Sequence, residues 1–358
     1  MKNKRIVAIH LPQYHPFPEN DEWWGKGFTE WTNVVKARPR FRGHYQPHLP
    51  SDLGFYDLRL EQSRIDQETL AKEYGIDAFC YYHYWFNGHL LMERPVEAKL
   101  RNPKENLPFM FCWANENWHR NWEGGCNVTL MEQHYCKEDN IAHFKYLLPF
   151  FKDPRYLKIN GKPIFALYKI QFIPDIEELI DTFQTLAHEN GFELYICKFE
   201  AFGSQGKEWF KEGFNASIAF EPAMTDRYFS KFDNLLPNLL HHFCKKDILP
   251  RKFSYKKLVS LACKNFGKQG YKIFPCCCPS WDNACRRYKR PFTVYTESSP
   301  ILFKKWFRFI YNNFEPYSEE ENLIFINAWN EWAEGCHLEP DQRYGRGYLE
   351  AIKDVVNE

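Results

Sequence analysis

Eight short apolar runs separated by amphipathic, helix-like segments predict an α/β fold: one (β/α)8 barrel with long βα loops. The runs are continuously apolar rather than alternating, which is the signature of parallel strands covered on both faces. A chain of 358 residues holds eight βα units with material to spare. Polar and aromatic residues crowd the C-terminal end of nearly every run, where this fold carries its chemistry.

The runs, in order, are Arg5–Leu11, Ala78–Trp85, Pro108–Asn115, Pro163–Lys169, Glu193–Phe199, Ala216–Pro222, Lys272–Pro279 and Leu323–Trp332. Each is too short for a buried helix, so the apolar length itself selects a strand. Between them, apolar residues recur at helical spacing over Leu58–Tyr74, Met92–Leu100, Asp139–Phe151, Ile176–Asn190, Lys207–Glu212 and Ile301–Asn312. A last helix is expected over Gly347–Val356, and residues 226–270 read as a helical excursion before the seventh strand. No linker, repeat or low-complexity stretch divides the chain, so residues 1–358 read as one domain. A doubly wound sheet is the competing architecture. It would place a glycine-rich phosphate turn after the first strand, where Pro12-Gln13-Tyr14-His15-Pro16 stands instead.

Lys and Arg total 47 against 46 Asp and Glu, a net charge of +1, which argues against a nucleic-acid partner. No apolar run reaches the ~20 residues of a membrane helix, and the apolar stretch at the start is too short for a signal peptide. A soluble, cytoplasmic protein is therefore expected. The 12 cysteines fit a reducing compartment, since Cys80, Cys112 and Cys197 sit among apolar residues as small hydrophobes. Cys276, Cys277, Cys278 and Cys285 lack a paired C-x2-C spacing. His10 with His15, and His44 with His48, have ligand-like spacing but no H-E-x-x-H and no acidic triad. Neither a metal nor a cofactor is expected.

Aromatic residues make up 18% of the chain. A phenylalanine-rich core accounts for most of them, but tryptophans interleaved with amides and carboxylates also suit a sugar cleft. The run ends carry Tyr14; His83 and Tyr84; Trp113, Asn115, Glu116 and Trp118; Glu221; Trp281, Asp282 and Asn283; and Asn330 with Glu331 and Glu334. All are candidate substrate contacts. Glycosidic-bond chemistry needs two carboxyl groups, and Glu331 and Glu334 reach one pocket if the backbone turns between them. In a continuing strand they would face opposite ways, and spacing alone equally allows two solvated acids in a surface turn. His83 is equally a core histidine, and Asn115 with Glu116 equally a structural turn. Glu200 and Glu221 are candidate charge partners for Glu334.

Seven sequence words carry a family resemblance: residues 8–16 (AIHLPQYHP), 27–34 (GFTEWTNV), 46–50 (QPHLP), 81–85 (YYHYW), 112–118 (CWANENW), 279–283 (PSWDN) and 325–335 (FINAWNEWAEG). In order and spread they resemble the WbsX-type proteins of bacterial surface-polysaccharide loci. Asn330-Glu331-Trp332-Ala333-Glu334-Gly335 is also similar to the carboxylate motif of the endo-α-mannosidases, glycoside hydrolase family ninety-nine. The resemblance spans nearly the whole chain and implies a (β/α)8 barrel. It implies Glu331 as the base on the substrate's own 2-hydroxyl, closing a 1,2-anhydro sugar with net retention. Glu334 is then the acid that protonates the leaving oxygen, and no metal is required. The expected function is cleavage of an α-linked, mannose-like bacterial glycan. Glycosyl transfer in surface-polysaccharide synthesis (O-antigen or capsule) is the alternative, and a non-catalytic carbohydrate-binding barrel the third reading. The partner in each is an oligo- or polysaccharide; no oligomeric state is implied.

Overall fold

The computed structural model describes residues 4–120, 128–200, 203–229, 250–287 and 291–358. Its centre is a barrel of parallel strands: β1 Arg5–His10, β2 Ala78–Phe86, β3 Phe109–Trp113, β4 Lys162–Leu167, β5 Tyr195–Glu200 and β6 Ala216–Ala219, then β7 Ile273–Phe274, β8 Cys276–Cys277 and β9 Leu323–Ile326. Neighbours pair in chain order from β1 to β7, and β8 pairs with β9, which pairs with β1. The register runs through Ile9↔Cys80, Cys80↔Met110, Cys112↔Ala166, Ala166↔Cys197 and Cys197↔Ala216. The seventh apolar run supplies both β7 and β8. It pairs with β6 before Pro275 and with β9 after it, so one interrupted run brings the two sides of the barrel together. Proline has no N–H for a ladder, which places the switch at that residue; its carbonyl still accepts from Phe325 N–H at 2.8 Å.

The strands are buried almost completely; Ile6 to Ile9, Phe109 to Cys112 and Leu323 to Ile326 show no exposure. This is the continuous apolar pattern of a sheet covered on both faces. The covering helices begin with α1 Pro18–Trp24, α2 Glu30–Lys36, α3 Glu61–Glu73, α4 Arg94–Arg101, α5 Lys137–Lys152 and α6 Ile176–Glu189. They continue with α7 Ala223–Asp226, α8 Tyr255–Asn265, α9 Pro300–Asn313 and α10 Gly347–Asn357. Local chemistry fixes several starts. Asp175 caps α6 by accepting from Glu178 N–H, and Ser299 caps α9 with Pro300 in the first helical position.

Two expectations need correction. The eighth run does not extend to Trp332: its barrel strand stops at Ile326, and Asn330–Glu331 instead forms a short antiparallel pair with Cys336–His337. The stretch 226–270 is not purely helical, because Arg251–Ser254 is a strand paired with Thr293–Thr296 ahead of helix α8. Residues 230–249 of that stretch lie outside the described residues. Helices α1 and α2, both inside the first βα loop, were not expected; their apolar stripes are too short for periodicity to register.

Candidate active site

A cavity of about 480 Å³ opens at the C-terminal ends of the strands. It receives Leu11 and Gln13 from beyond β1, Tyr82 and Tyr84 from β2, and Glu116 and Trp118 from beyond β3. The far wall brings Tyr168, Phe220 and Trp281 to Glu331 and Glu334. Aromatic walls around a few convergent polar groups are the usual form of a small-ligand pocket.

The two glutamates meet because the backbone turns. Glu331 ends its short strand, Trp332–Glu334 forms one 3-10 turn, and Gly335 follows in the left-handed conformation at φ 56°. A Cβ at Gly335 would stand 3.0 Å from Cβ of Asp282 and 3.1 Å from its backbone, so glycine is required on both counts. Above the turn is a residue that spacing did not single out, Arg286. Its Nη2 donates to Glu331 Oε2 at 2.9 Å, its Nη1 to Glu334 Oε1 at 2.8 Å, and its Nε to Glu30 Oε1 at 2.7 Å. One guanidinium thus faces three carboxyl groups, which holds Arg286 firmly charged despite its burial. Burial pushes Glu331 and Glu334 up from the usual carboxylate range; Arg286 opposes the rise, and neighbouring carboxylates add to it. Three carboxyl groups crowd Arg286, with Arg287 a further positive influence on Glu334, and the crowding with burial favours retention of a proton within the cluster.

The surroundings hold these groups in place. Asp282 Oδ2 accepts from Gln46 Nε2 at 2.7 Å and lies 2.6 Å from His44 Nε2, while its N–H donates to the Glu334 carbonyl at 2.6 Å. Asp282 therefore anchors the loop that delivers Arg286 and does not line the cavity. Asn283 does line it, and accepts from Thr293 N–H at 2.9 Å. Asn330 is fully buried; its Oδ1 takes Leu11 N–H at 2.7 Å and its Nδ2 gives to Leu11 O at 3.0 Å. Tyr14 donates its hydroxyl to the Asn330 carbonyl and accepts from Trp332 N–H at 3.3 Å. Both residues brace the glutamate turn against the end of β1 and stand outside the cavity. Buried Glu339 accepts from Trp332 Nε1 at 2.6 Å, Tyr56 hydroxyl at 2.9 Å and Gln67 Nε2 at 2.7 Å, which orients the indole between the two acids.

Of the expected substrate contacts, Tyr84, Glu116, Trp118, Trp281 and Asn283 border one cavity with Glu331 and Glu334. Tyr14, His83, Trp113, Asn115 and Glu221 need correction, together with the Asp282 and Asn330 already described. His83 and Trp113 alternate to the opposite strand face and pack on α5: His83 Nε2 lies 2.8 Å from His143 Nε2, and Trp113 meets the same ring edge-on. Burial accordingly pushes His83 down to about 3. Asn115 is committed to backbone, accepting from Lys169 N–H at 2.8 Å and donating to Lys169 O at 2.9 Å. Tyr14 is spent on the brace just described. Glu221 points into a separate cavity near Met224 and Trp306, where its carboxyl accepts from the Thr225 hydroxyl at 2.6 Å. Glu200 pairs with Lys198 at 2.6 Å with both fully buried. Neither touches Glu334. Glu116 pairs with Lys169 across the cavity wall. The missed members are Arg286, Tyr82 and Tyr168; Glu30, a candidate from the first βα loop, joins the cluster through Arg286. Glu30 stood in a shared sequence word, but nothing local connects it to residue 286. Among the described residues one group has metal-ligand geometry, His48, His337 and Asp341, outside this cavity.

A barrel of parallel strands with an aromatic-walled cavity at its C-terminal mouth is the class that fold and site define, and known proteins share that fold. In structure the chain is similar to a glycoside hydrolase-like protein, with a TM-score of 0.64, 14% identity and coverage of 99% of this chain and 94% of the other. It is similar to the family ninety-nine endo-alpha-mannosidase of Bacteroides thetaiotaomicron, with a TM-score of 0.57, 12% identity and coverage of 99% and 96%. At those identities the likeness is one of fold. The chain belongs to the WbsX family, described as glycosyltransferase WbsX, whose model matches residues 6–352. It is 35% identical over 353 residues to WxcX of Xanthomonas campestris pv. campestris strain B100, described as an uncharacterized protein. WxcX of strain ATCC 33913 is similar to the same degree. The match covers 98% of this chain, which spans about half the length of these curated relatives. Among the described residues no helix is long and apolar enough to cross a membrane.

Proposed function

We propose that the chain is a retaining enzyme that cleaves an α-linked, mannose-like glycan with Glu331 and Glu334. The observation that carries the reading is the convergence of both carboxyls on Arg286 in a cavity walled by Tyr84, Trp118 and Trp281. Glu334 is the more exposed of the two, with 20% of its side chain accessible against 6% for Glu331, and so is better placed to meet a departing oxygen. Burial raises the proton affinity of both carboxyls, that of Glu331 to about 8, so it is the exposure of Glu334 and not its pKa that assigns it the acid role. Glu331, held by Arg286 Nη2, takes the proton of the substrate 2-hydroxyl as that oxygen attacks the anomeric carbon. The bond to the leaving oxygen breaks, and Glu334 supplies that oxygen's proton. Glu334 then takes a proton from the incoming acceptor as it attacks the anomeric carbon, the anhydro C–O2 bond breaks, and Glu331 returns its proton to the 2-oxygen, with overall retention. The fold likeness to an endo-alpha-mannosidase supports the α-linked mannose-like substrate.

The family's description favours a second reading, in which the acceptor is another sugar and the net reaction is glycosyl transfer. The same two glutamates serve it. One panel tests both: aryl α- and β-glycosides and nucleotide sugars, each with and without an added glycan acceptor, with product configuration read by NMR. Hydrolysis gives a retained reducing sugar, and transfer gives a lengthened acceptor. Rapid turnover of a 2-deoxy α-glycoside would exclude the anhydro-sugar route.

A further inference from the structure

Beyond the cavity, the loop that carries the glutamates bends back toward the first βα loop. There His48 Nδ1 lies 3.0 Å from His337 Nε2, and His337 Nε2 lies 3.8 Å from Asp341 Oδ2. One donor atom from each residue falls within 4.8 Å of the others, and all three residues are buried. From this cluster we infer that His48, His337 and Asp341 bind one divalent transition-metal cation, zinc by the chemistry of the donors.

Three features favour a cation over a plain hydrogen-bonded pair. His337 Nδ1 sits 3.0 Å from the Glu339 carbonyl, which fixes the N–H on Nδ1 and leaves Nε2 as a bare donor facing the cluster. Asp341 Oδ1 is already occupied by the N–H groups of Arg343 at 2.9 Å and Tyr344 at 2.6 Å, so Oδ2 alone is directed at the histidines. These are the outer-shell contacts that orient metal ligands. A cavity of about 330 Å³, lined in part by His48, Asp341 and Tyr45, gives an entry path and room for water as a fourth ligand. Two imidazoles with one carboxylate suit zinc.

The cation would join two loops that already touch, since Gln342 N–H donates to Leu49 O at 2.9 Å and Ser51 N–H to Pro340 O at 3.0 Å. His337 also stacks on Trp332 at 3.7 Å between ring centroids, so the site braces the turn holding Glu331 and Glu334. Its role is structural, and it stands whether or not the glycan chemistry holds.

The test starts from chelator-treated full-length protein titrated with zinc chloride, followed by calorimetry and thermal unfolding. The expected results are one equivalent bound and a raised Tm. Asp341→Asn keeps an oxygen for the two backbone N–H groups but removes the charged ligand. It should weaken zinc at least about tenfold, the low end for disturbing a metal site, and erase most of the zinc-dependent Tm rise. Should that variant fold poorly, cobalt(II) in the wild type decides. Visible d–d bands without a thiolate charge-transfer band support the site. A thiolate band, which assigns the metal to cysteines, would overturn the proposal, as would no binding above background or full zinc affinity in Asp341→Asn.

Discussion

At the residue scale, the electrostatics of the site centre on Arg286. A guanidinium stays charged at any working pH, and here it lies within 3 Å of oxygens from Glu30, Glu331 and Glu334. Replacing it with glutamine removes the cation bonded to all three carboxyls, so both candidate catalytic carboxyls should rise further. An opposite charge at such a distance is worth ~1–3 units. The acidic limb of the pH–rate profile, which reports ionisation of Glu331, should therefore move at least about one unit upward in Arg286→Gln; an unmoved limb would separate Arg286 from the chemistry. The same burial has a consequence for stability. A carboxyl whose folded pKa is raised stabilises the fold fully below its unfolded value and loses that contribution as pH climbs through the folded value. Glu331→Gln carries no such penalty. It should melt above wild type at pH 8 to 9, with the difference shrinking toward pH 4 (about 1 kcal/mol corresponds to ~2–4 °C in large domains).

At the element scale, strand alternation sorts the site. Along β2, Tyr82 and Tyr84 line the cavity while His83 and Trp85 pack on His143 of α5. The run was legible as a strand, but which parity faced the lumen was not, because both faces are apolar and aromatic. That ambiguity misplaced His83 and Trp113. The glutamate pair was legible through its likeness to a family carboxylate motif, since its spacing alone equally allowed two solvated acids. Arg286 was not, since its partners are 45, 48 and 256 residues away in sequence and no local pattern relates them. The turn itself is braced by Tyr14 and Asn330. Asn330→Ala strands the buried Leu11 N–H and C=O, at ~1–3 kcal/mol for each unsatisfied group. Chemical denaturation should show that loss, whereas Tyr14→Phe should cost less than about 2 kcal/mol in stability and still lower kcat by misplacing Glu331. A stability loss without a fall in kcat would leave Tyr14 purely structural.

At the scale of the whole molecule, the barrel is nearly closed, its two ends meeting in one proline-interrupted run, and its core is continuous from β1 round to β9. The apolar run count predicted this closure, because eight buried parallel strands with intervening helices have few other ways to cover every edge. What the pattern could not give was the content of the long loops. Helices α1 and α2 deliver Glu30, and the loop around His44 and Gln46 anchors Asp282. One dominant core around the barrel, with two small satellite clusters, predicts a single transition: far-UV dichroism and tryptophan fluorescence should coincide through urea unfolding. Separated curves would mean that part of the chain unfolds independently.

The central claim, that Glu331 and Glu334 divide the labour of bond cleavage, is tested most directly by leaving-group dependence. Cleavage rates would be measured for aryl α-glycosides of graded leaving-group acidity in wild type, Glu334→Gln and Glu331→Gln. The expected outcome is a loss in Glu334→Gln of about 10²–10⁴-fold with poor leaving groups, fading toward none with the most activated one. Glu331→Gln should lose a similar factor across the whole series, because attack by the 2-hydroxyl fails whatever leaves. Equal losses in both variants at every leaving group, or no loss in either, would contradict the assignment.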